Sequence, residues 1–346
     1  MSAPTDRVIV PPNTEGRPLV VVQAPRRRFS TWLLMLILLI SVAFNFILFS
    51  AWHSYFGYAE GVVERFHSGD AVTTDRIALI TVEGTIMPPF TGHVLKAIEQ
   101  ASKDDNVKGV VLVVDSPGGL VADSNEIYHA LRKLDTEKHK PINVSMKRLA
   151  ASGGYYVSMG AGPEGVLFAE PTCWTGSIGV ILPHYDVSGL AEKLGVKEDS
   201  LKTGPYKDTL TLFKPVSEVD KKLWMEILDE MLDRFLEVIA GSRKGLDVKK
   251  IREMATGQVF TAKQAKERKL VDQIGFLDDA IKSLKERLNL RTVRVVSYET
   301  PPNFFERLVS SSESAAKPEW RWNALLESAV PRAYYLLTSL PGIAPR

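Results

Sequence analysis

A serine followed by two glycines stands in the run Ala150-Ala151-Ser152-Gly153-Gly154-Tyr155-Tyr156, at the expected start of a helix. Upstream, Ser116-Pro117-Gly118-Gly119 makes a glycine turn directly after the apolar run Gly109-Val110-Val111-Leu112-Val113-Val114. A hydroxyl at a helix start, approached by a second glycine loop, is one way to build a nucleophile and an oxyanion hole for acyl transfer. The same residues also admit plainer roles. Gly118, Gly119, Gly153 and Gly154 can be turn glycines, Ser152 can be an N-cap, and Ser177 can be a capping or core serine.

A serine hydroxyl needs a base to take its proton. Of the six histidines, His53 and His67 lie in an expected stalk, His93 opens a helix, His129 sits on a surface helix and His139 in a charged loop. Only His184 falls in the expected catalytic half, 32 residues after Ser152, and it precedes an ordinary acidic turn. The alternative base is a lysine. Gly204-Pro205-Tyr206-Lys207-Asp208 holds one in a rigid turn, and serine–lysine pairs are a known variant of the triad. A lysine acts as a base only when neutral, which requires desolvation or nearby positive charge. On the residues alone, a solvated loop lysine is the default reading of Lys207.

The elements that must position these groups alternate. Apolar strands are expected at 77–82, 109–115, 142–146 and 165–169, with helices at 93–102, 123–134 and from Ser152, then a glycine-rich segment Thr175-Gly176-Ser177-Ile178-Gly179-Val180. Such alternation predicts an α/β fold with largely parallel strands. Beyond residue 215, Ser217 can cap a long amphipathic helix over 218–243, with Leu223, Ile227, Met231, Phe235 and Val238 along one stripe. Shorter helices are expected at 247–255, 261–269 (capped by Thr261) and 277–287, and a last strand at 293–296. The tail, 300–346, is proline-rich with scattered aromatics. Docking on the body, on a neighbouring subunit or at a membrane interface all fit it, and its composition favours such packing over a role as a plug or internal substrate.

Residues 31–52 carry no charge and match the roughly 20 residues needed to cross a bilayer. Arg26, Arg27 and Arg28 precede them, and Glu60 and Glu64 follow. The positive-inside tendency therefore places residues 1–30 in the cytosol and the chain after about residue 53 outside. A cleaved signal peptide fits less well, because the apolar run is long and no small-residue cleavage site follows. The expected organisation is a disordered 1–30, an anchor at 31–52, a stalk at 53–75 with some helix around 58–66, a catalytic domain at 76–299 and the tail. The net charge of +2 points away from nucleic acid or another polyanion, and the single cysteine, Cys173, excludes an internal disulfide and a cysteine-based zinc cluster.

In order, S-P-G-G (116–119), A-S-G-G-Y-Y (151–156), T-G-S-I-G-V (175–180) and G-P-Y-K-D (204–208) resemble the motifs of the signal peptide peptidase A family over about residues 75–290. The resemblance implies a membrane-anchored serine endopeptidase with a Ser/Lys dyad, built from Clp protease/crotonase-like repeated ββα units after one transmembrane helix. It implies Ser152 as nucleophile, Lys207 as general base, Ser177 as the residue orienting the lysine, and the amides of Gly119 and Gly153 as the oxyanion hole. No metal or organic cofactor is implied. The implied substrates are hydrophobic peptides such as remnant signal peptides, and the implied place is the bacterial cytoplasmic (inner) membrane. Family members form ring-shaped homo-oligomers, and in short single-domain forms serine and lysine come from neighbouring subunits; this chain has one copy of the motif set. The stretch between Ser152 and Ser177 is a few residues longer than the pattern, around Gly162-Pro163-Glu164-Gly165. Two other functions share parts of this picture. A crotonase-like acyl-CoA enzyme would need no anchor and would leave Ser152 and Lys207 idle, and a noncatalytic membrane scaffold would be expected to lose one of them.

Overall fold

A computed structural model of the chain describes residues 8–9, 20–21, 28–56, 62–299 and 334–336. It divides into two compact units. In the first, Val8–Ile9 (β1) pairs antiparallel with Val20–Val21 (β2), and Arg28–Phe56 forms one long helix, α1. Within α1 the window Trp32–Phe49 has a mean hydropathy of 2.6, and none of it is buried against protein. Within it the Asn45 side-chain amide donates to the Ser41 carbonyl at 2.8 Å, which satisfies that N–H inside the helix. The disorder expected for 1–30 falls mostly outside the described residues.

The second unit is a mixed α/β sheet. Its strands are Val63–Gly69 (β3), Arg76–Glu83 (β4), Val107–Ser116 (β5), Ile142–Ala151 (β7), Leu167–Ala169 (β8), Trp174–Gly176 (β9), Val259–Thr261 (β10), Gln273–Ile274 (β11) and Arg294–Glu299 (β12). The path runs β10-β9-β7-β5-β4-β12-β3, with β8 also paired to β7 and β11 to β8. The centre is parallel (β12, β4, β5, β7), whereas β3 and β10 close the two ends antiparallel. Both faces are covered. Alternate residues of the central strands serve two cores: Ile80, Leu112 and Val144 on one face, Leu79, Val111 and Val113 on the other. That is why these strands read as unbroken apolar runs.

Helices α2 (Phe90–Lys103), α3 (Val121–Thr136) and α6 (Glu218–Ser242) build the first core, through Ile98, Leu131, Phe235 and Ile239 among others. Helix α9 (Leu277–Arg287) closes the second with Ile281 and Leu284. The expected caps form: Ser217 Oγ accepts the Asp220 N–H at 3.1 Å, and Thr261 makes a reciprocal box with Gln264 at the start of α8 (Ala262–Glu267).

One expectation is corrected. Residues 63–69, read as part of a stalk with helical content, form edge strand β3 in register with β12. The sequence Val-Glu-Arg-Phe-His-Ser-Gly is mostly exposed, so it lacks the apolar alternation that would have marked it; its hydrogen bonds to β12 supply the order. The additional residues around Pro163 form the turn from a 3₁₀ segment, Met159–Ala161, to β8.

Candidate active site

The site grows from the ends of three neighbouring strands. Strand β5 leads into the glycine turn and a three-residue strand, Gly118–Leu120 (β6). Ser116 locks this turn: its Oγ donates to the Gly84 carbonyl at 2.6 Å and accepts the Gly118 N–H at 3.1 Å. Gly118 has φ +98, which a residue with a side chain adopts only at a cost. At Gly119 a Cβ would collide with the Ile86 carbonyl. Ile86 donates its N–H to the Gly118 carbonyl and accepts the Leu120 N–H, both at 2.8 Å.

Strand β7 delivers Ser152. Its register sets Ala150 beside both Ser116 of β5 and Thr175 of β9, and Ala151 beside Gly176. Ser152 follows at φ 53, ψ −115, with its N–H on the Gly176 carbonyl at 2.7 Å. A simple N-cap would be extended, with its side chain on the first turn. Ser152 is neither: it lies in the left-handed half of backbone space, and its side chain makes no capping bond to α4 (Gly153–Ser158). Such strained non-glycine residues concentrate at functional sites.

Gly153 brings the two loops together. A Cβ at Gly153 would lie 3.1 Å from the Gly119 nitrogen, 3.1 Å from Gly118 Cα and 2.6 Å from Ser124 Oγ. The backbone at Gly153 therefore packs directly against the amide of Gly119, with Ser152 one residue away. Ser177 also sits here. It follows Gly176 at φ 49, is buried, and donates its N–H to the Gln258 carbonyl at 2.8 Å. Ser152, Gly153, Gly119 and Ser177 are thus gathered at one end of the sheet.

Lys207 is placed differently. It is exposed, on a turn outside regular structure, its backbone N–H on the Gly204 carbonyl at 3.4 Å. Ser152 is 1% exposed, and among the described residues no hydrogen bond joins the two. Neighbours pin this segment. The Asp208 carboxylate accepts from Lys202 at 2.7 Å and Lys214 at 2.9 Å, and these hydrogen bonds hold it well acidic, at about 2. Trp224 of α6 donates its indole N–H to Thr209 Oγ1 at 3.0 Å. His184 is committed elsewhere, its Nε2 3.1 Å from the Thr211 carbonyl.

Sequence reasoning missed several supports. Ile86 carries no motif, yet it is the partner that holds β6. Ser116 was quoted only as the start of a glycine turn. Ser124 Oγ donates to the Leu120 carbonyl at 2.9 Å beneath Gly153. Tyr156, its hydroxyl on Asn125 at 2.8 Å and pushed up to about 12 by burial, lines a cavity of about 720 Å³ with Leu120, Val121, Ile227 and Met231. Cys173 is buried, and burial raises its thiol to about 12, which makes it a poor nucleophile. Among the described residues no group of three or more His, Cys, Asp or Glu is placed to hold a metal.

The description "Peptidase family S49" matches residues 134–291. A protein of Enterococcus faecium provisionally named signal peptide peptidase SppA is 38% identical over 211 residues, 61% of this chain and 60% of its own length. A provisionally named protease of Synechocystis is 38% identical over 208 residues, 60% of this chain and 73% of its own length. Protease 4 of Salmonella typhi is 31% identical over 254 residues, 71% of this chain and 40% of its own. The chain therefore spans less than two thirds of the length of two of these three relatives. A solved ClpP1 mutant from Listeria monocytogenes overlaps 59% of this chain and 94% of its own at 16% identity, with a TM-score of 0.41.

Proposed function

The chain belongs to peptidase family S49, and from that premise we propose that it is a membrane-anchored serine endopeptidase cutting hydrophobic peptides close to the bilayer. One observation carries this reading: a buried serine at left-handed φ, adjacent to a glycine whose backbone is pressed against a second glycine amide. In the reaction, neutral Lys207 removes the Ser152 proton and Oγ adds to the peptide carbonyl. The N–H groups of Gly119 and Gly153 hold the oxyanion, each such donor being worth about 3 kcal/mol. The lysine ammonium protonates the leaving amine as the C–N bond breaks. Water, deprotonated by the same lysine, then hydrolyses the ester and returns the proton to Ser152. Ser177 orients the lysine.

Lys207 comes from a neighbouring copy of the chain. Its exposure supports this, as does the composition of the stretch of chain that carries it, 185–213, where Tyr185, Leu190, Leu194, Leu201, Tyr206 and Phe213 are all exposed. Apolar side chains left in water favour packing against a partner. A second copy packed there would take the lysine out of water, the condition for an amine to serve as base. The cavity between Leu120 and α6 has an apolar part (Leu120, Val121, Ile227, Met231) that suits an aliphatic substrate side chain, rimmed by Asp123, Glu230 and Arg234, and α1 suits a single-pass anchor with residues 1–30 cytosolic and the catalytic unit extracytoplasmic.

The test is hydrolysis of a fluorogenic hydrophobic peptide by the detergent-solubilised chain. Ser152→Ala and Lys207→Ala should each abolish turnover, and His184→Ala should retain it. Turnover that survives Lys207→Ala but is lost in His184→Ala would replace the base. A reporter fused near residue 10 should behave as cytosolic; finding it outside reverses the orientation.

A further inference from the structure

Between Trp32 and Phe49 helix α1 is apolar, and none of it is buried against protein. Two hydrogen-bonding side chains interrupt residues 33–49, Ser41 and Asn45. Four residues apart, they share one face of the helix, with Leu34 and Leu48 before and after them on the same face. A carboxamide carries two N–H donors and a carbonyl acceptor. Asn45 Nδ2 donates to the Ser41 carbonyl at 2.8 Å and lies 3.5 Å from Ser41 Oγ. Among the described residues no donor reaches Asn45 Oδ1. Asn45 stands seven residues before Trp52, where the uncharged stretch ends, about 10 Å along the axis. From there its short side chain cannot carry Oδ1 back to water, and an unmet carbonyl in hydrocarbon is costly. Polar side chains within membrane helices accordingly face other helices.

We propose that the Asn45 face of α1 packs against the same face of a second copy of this chain, with the two carboxamides bonded to each other. This rests on the reading of α1 as a membrane anchor. Depth identifies the occupant. Two copies inserted in one orientation hold each residue at the same level of the bilayer, so Asn45 meets Asn45 of the second copy. A carboxamide is its own complement: each gives its second N–H to the other's Oδ1 and takes one in return. A substrate segment or an unrelated membrane helix need not carry such a group at that level. The pairing bears on assembly. Six residues, 57–62, join α1 to β3, at most about 20 Å of extended chain. Paired helices therefore keep two catalytic units close and raise their effective concentration, which favours Lys207 of one copy reaching Ser152 of another.

The full chain in liposomes tests this. Single cysteines are placed at Leu34, Leu48, Leu36 or Ala43; the native Cys173 is buried and does not compete. Under mild oxidation Leu34→Cys and Leu48→Cys should form linked dimers, whereas Leu36→Cys and Ala43→Cys, on the opposite face, should not. Adding Asn45→Leu should raise the protein-to-lipid ratio at half-maximal crosslinking about tenfold, and Asn45→Gln, which keeps the carboxamide, should recover most of that loss. Crosslinking with no preferred face, or unaltered by Asn45→Leu, overturns the pairing. Peptide hydrolysis by the chain without added cysteines should shift to denser liposomes by the same factor in Asn45→Leu; hydrolysis unmoved by that change overturns the link to assembly. Extraction by alkaline carbonate separates the two readings. A chain that stays in the membrane without crosslinking sinks the pairing alone, and a chain that is released sinks the anchor and the pairing together.

Discussion

Ser152 and Lys207 sit in opposite kinds of structure. Around Ser152, strands β5, β7 and β9 fix the backbone by register, Ser116, Ser124 and Ile86 hold the glycine loop, and no side chain fits at Gly119. Around Lys207 a mostly irregular, exposed segment is pinned by a few polar contacts and displays apolar side chains to solvent. The first region is complete within one chain. On the proposed reading, the second is finished by assembly. Preorganised donors must be rigid before substrate arrives, whereas a base that must lose its water can be supplied when copies meet.

The largest effects should fall on both regions alike but for different reasons. Ser152→Ala and Lys207→Ala should each lower kcat by about 10⁴-fold or more. Lys207→Ala should change the melting temperature little, because the side chain is exposed within one chain; a large drop in melting temperature would show that Lys207 has a structural role.

Next comes Gly119→Ala. The added methyl meets the Ile86 carbonyl, so β6 must shift and the oxyanion donor moves with it. A fall in kcat of about 10²–10³-fold is expected with little change in KM, measurable by steady-state kinetics. Wild-type kcat would contradict the assignment of this amide.

A smaller effect is expected at Asp208. Its carboxyl is held below the ordinary value of 3.8, at about 2, by hydrogen bonds from Lys202 and Lys214. A depressed carboxylate stabilises above its unfolded value, and that support is lost as pH falls from 3.8 toward 2. Hydrogen exchange of 202–214, corrected for intrinsic rates, should quicken across that window, and Asp208→Asn should show the quickening at neutral pH. Exchange insensitive to both would mean that the two lysines do not hold the turn.

How far each region was legible follows the same division. Strands 77–82, 109–115 and 142–146 were readable because burial on both faces demands unbroken apolar runs, and helix 277–287 because one stripe faces the core. Strand β3 was not, since an exposed edge strand needs no pattern. Ser152 was visible as a motif, but its left-handed backbone was not, and that conformation separates it from an ordinary cap. Ile86 was invisible, because it acts through its main chain and any residue could supply the same groups. Lys207 rested on resemblance: one exposed lysine looks like another until its neighbour across an interface is present. Tyr334–Leu336, paired antiparallel with β6, had only composition behind it, since three residues paired to a glycine edge leave no periodicity to read.

The claim that the two halves of the site meet between copies has a direct test. Ser152→Ala and Lys207→Ala chains, each inactive alone, are co-expressed and purified as mixed assemblies, and peptide hydrolysis is measured. If every site takes its serine from one copy and its lysine from the next, random mixing restores about a quarter of wild-type activity, as expected of a head-to-tail ring. Mixed assemblies as inactive as either variant alone would contradict the account and return both residues to a single chain.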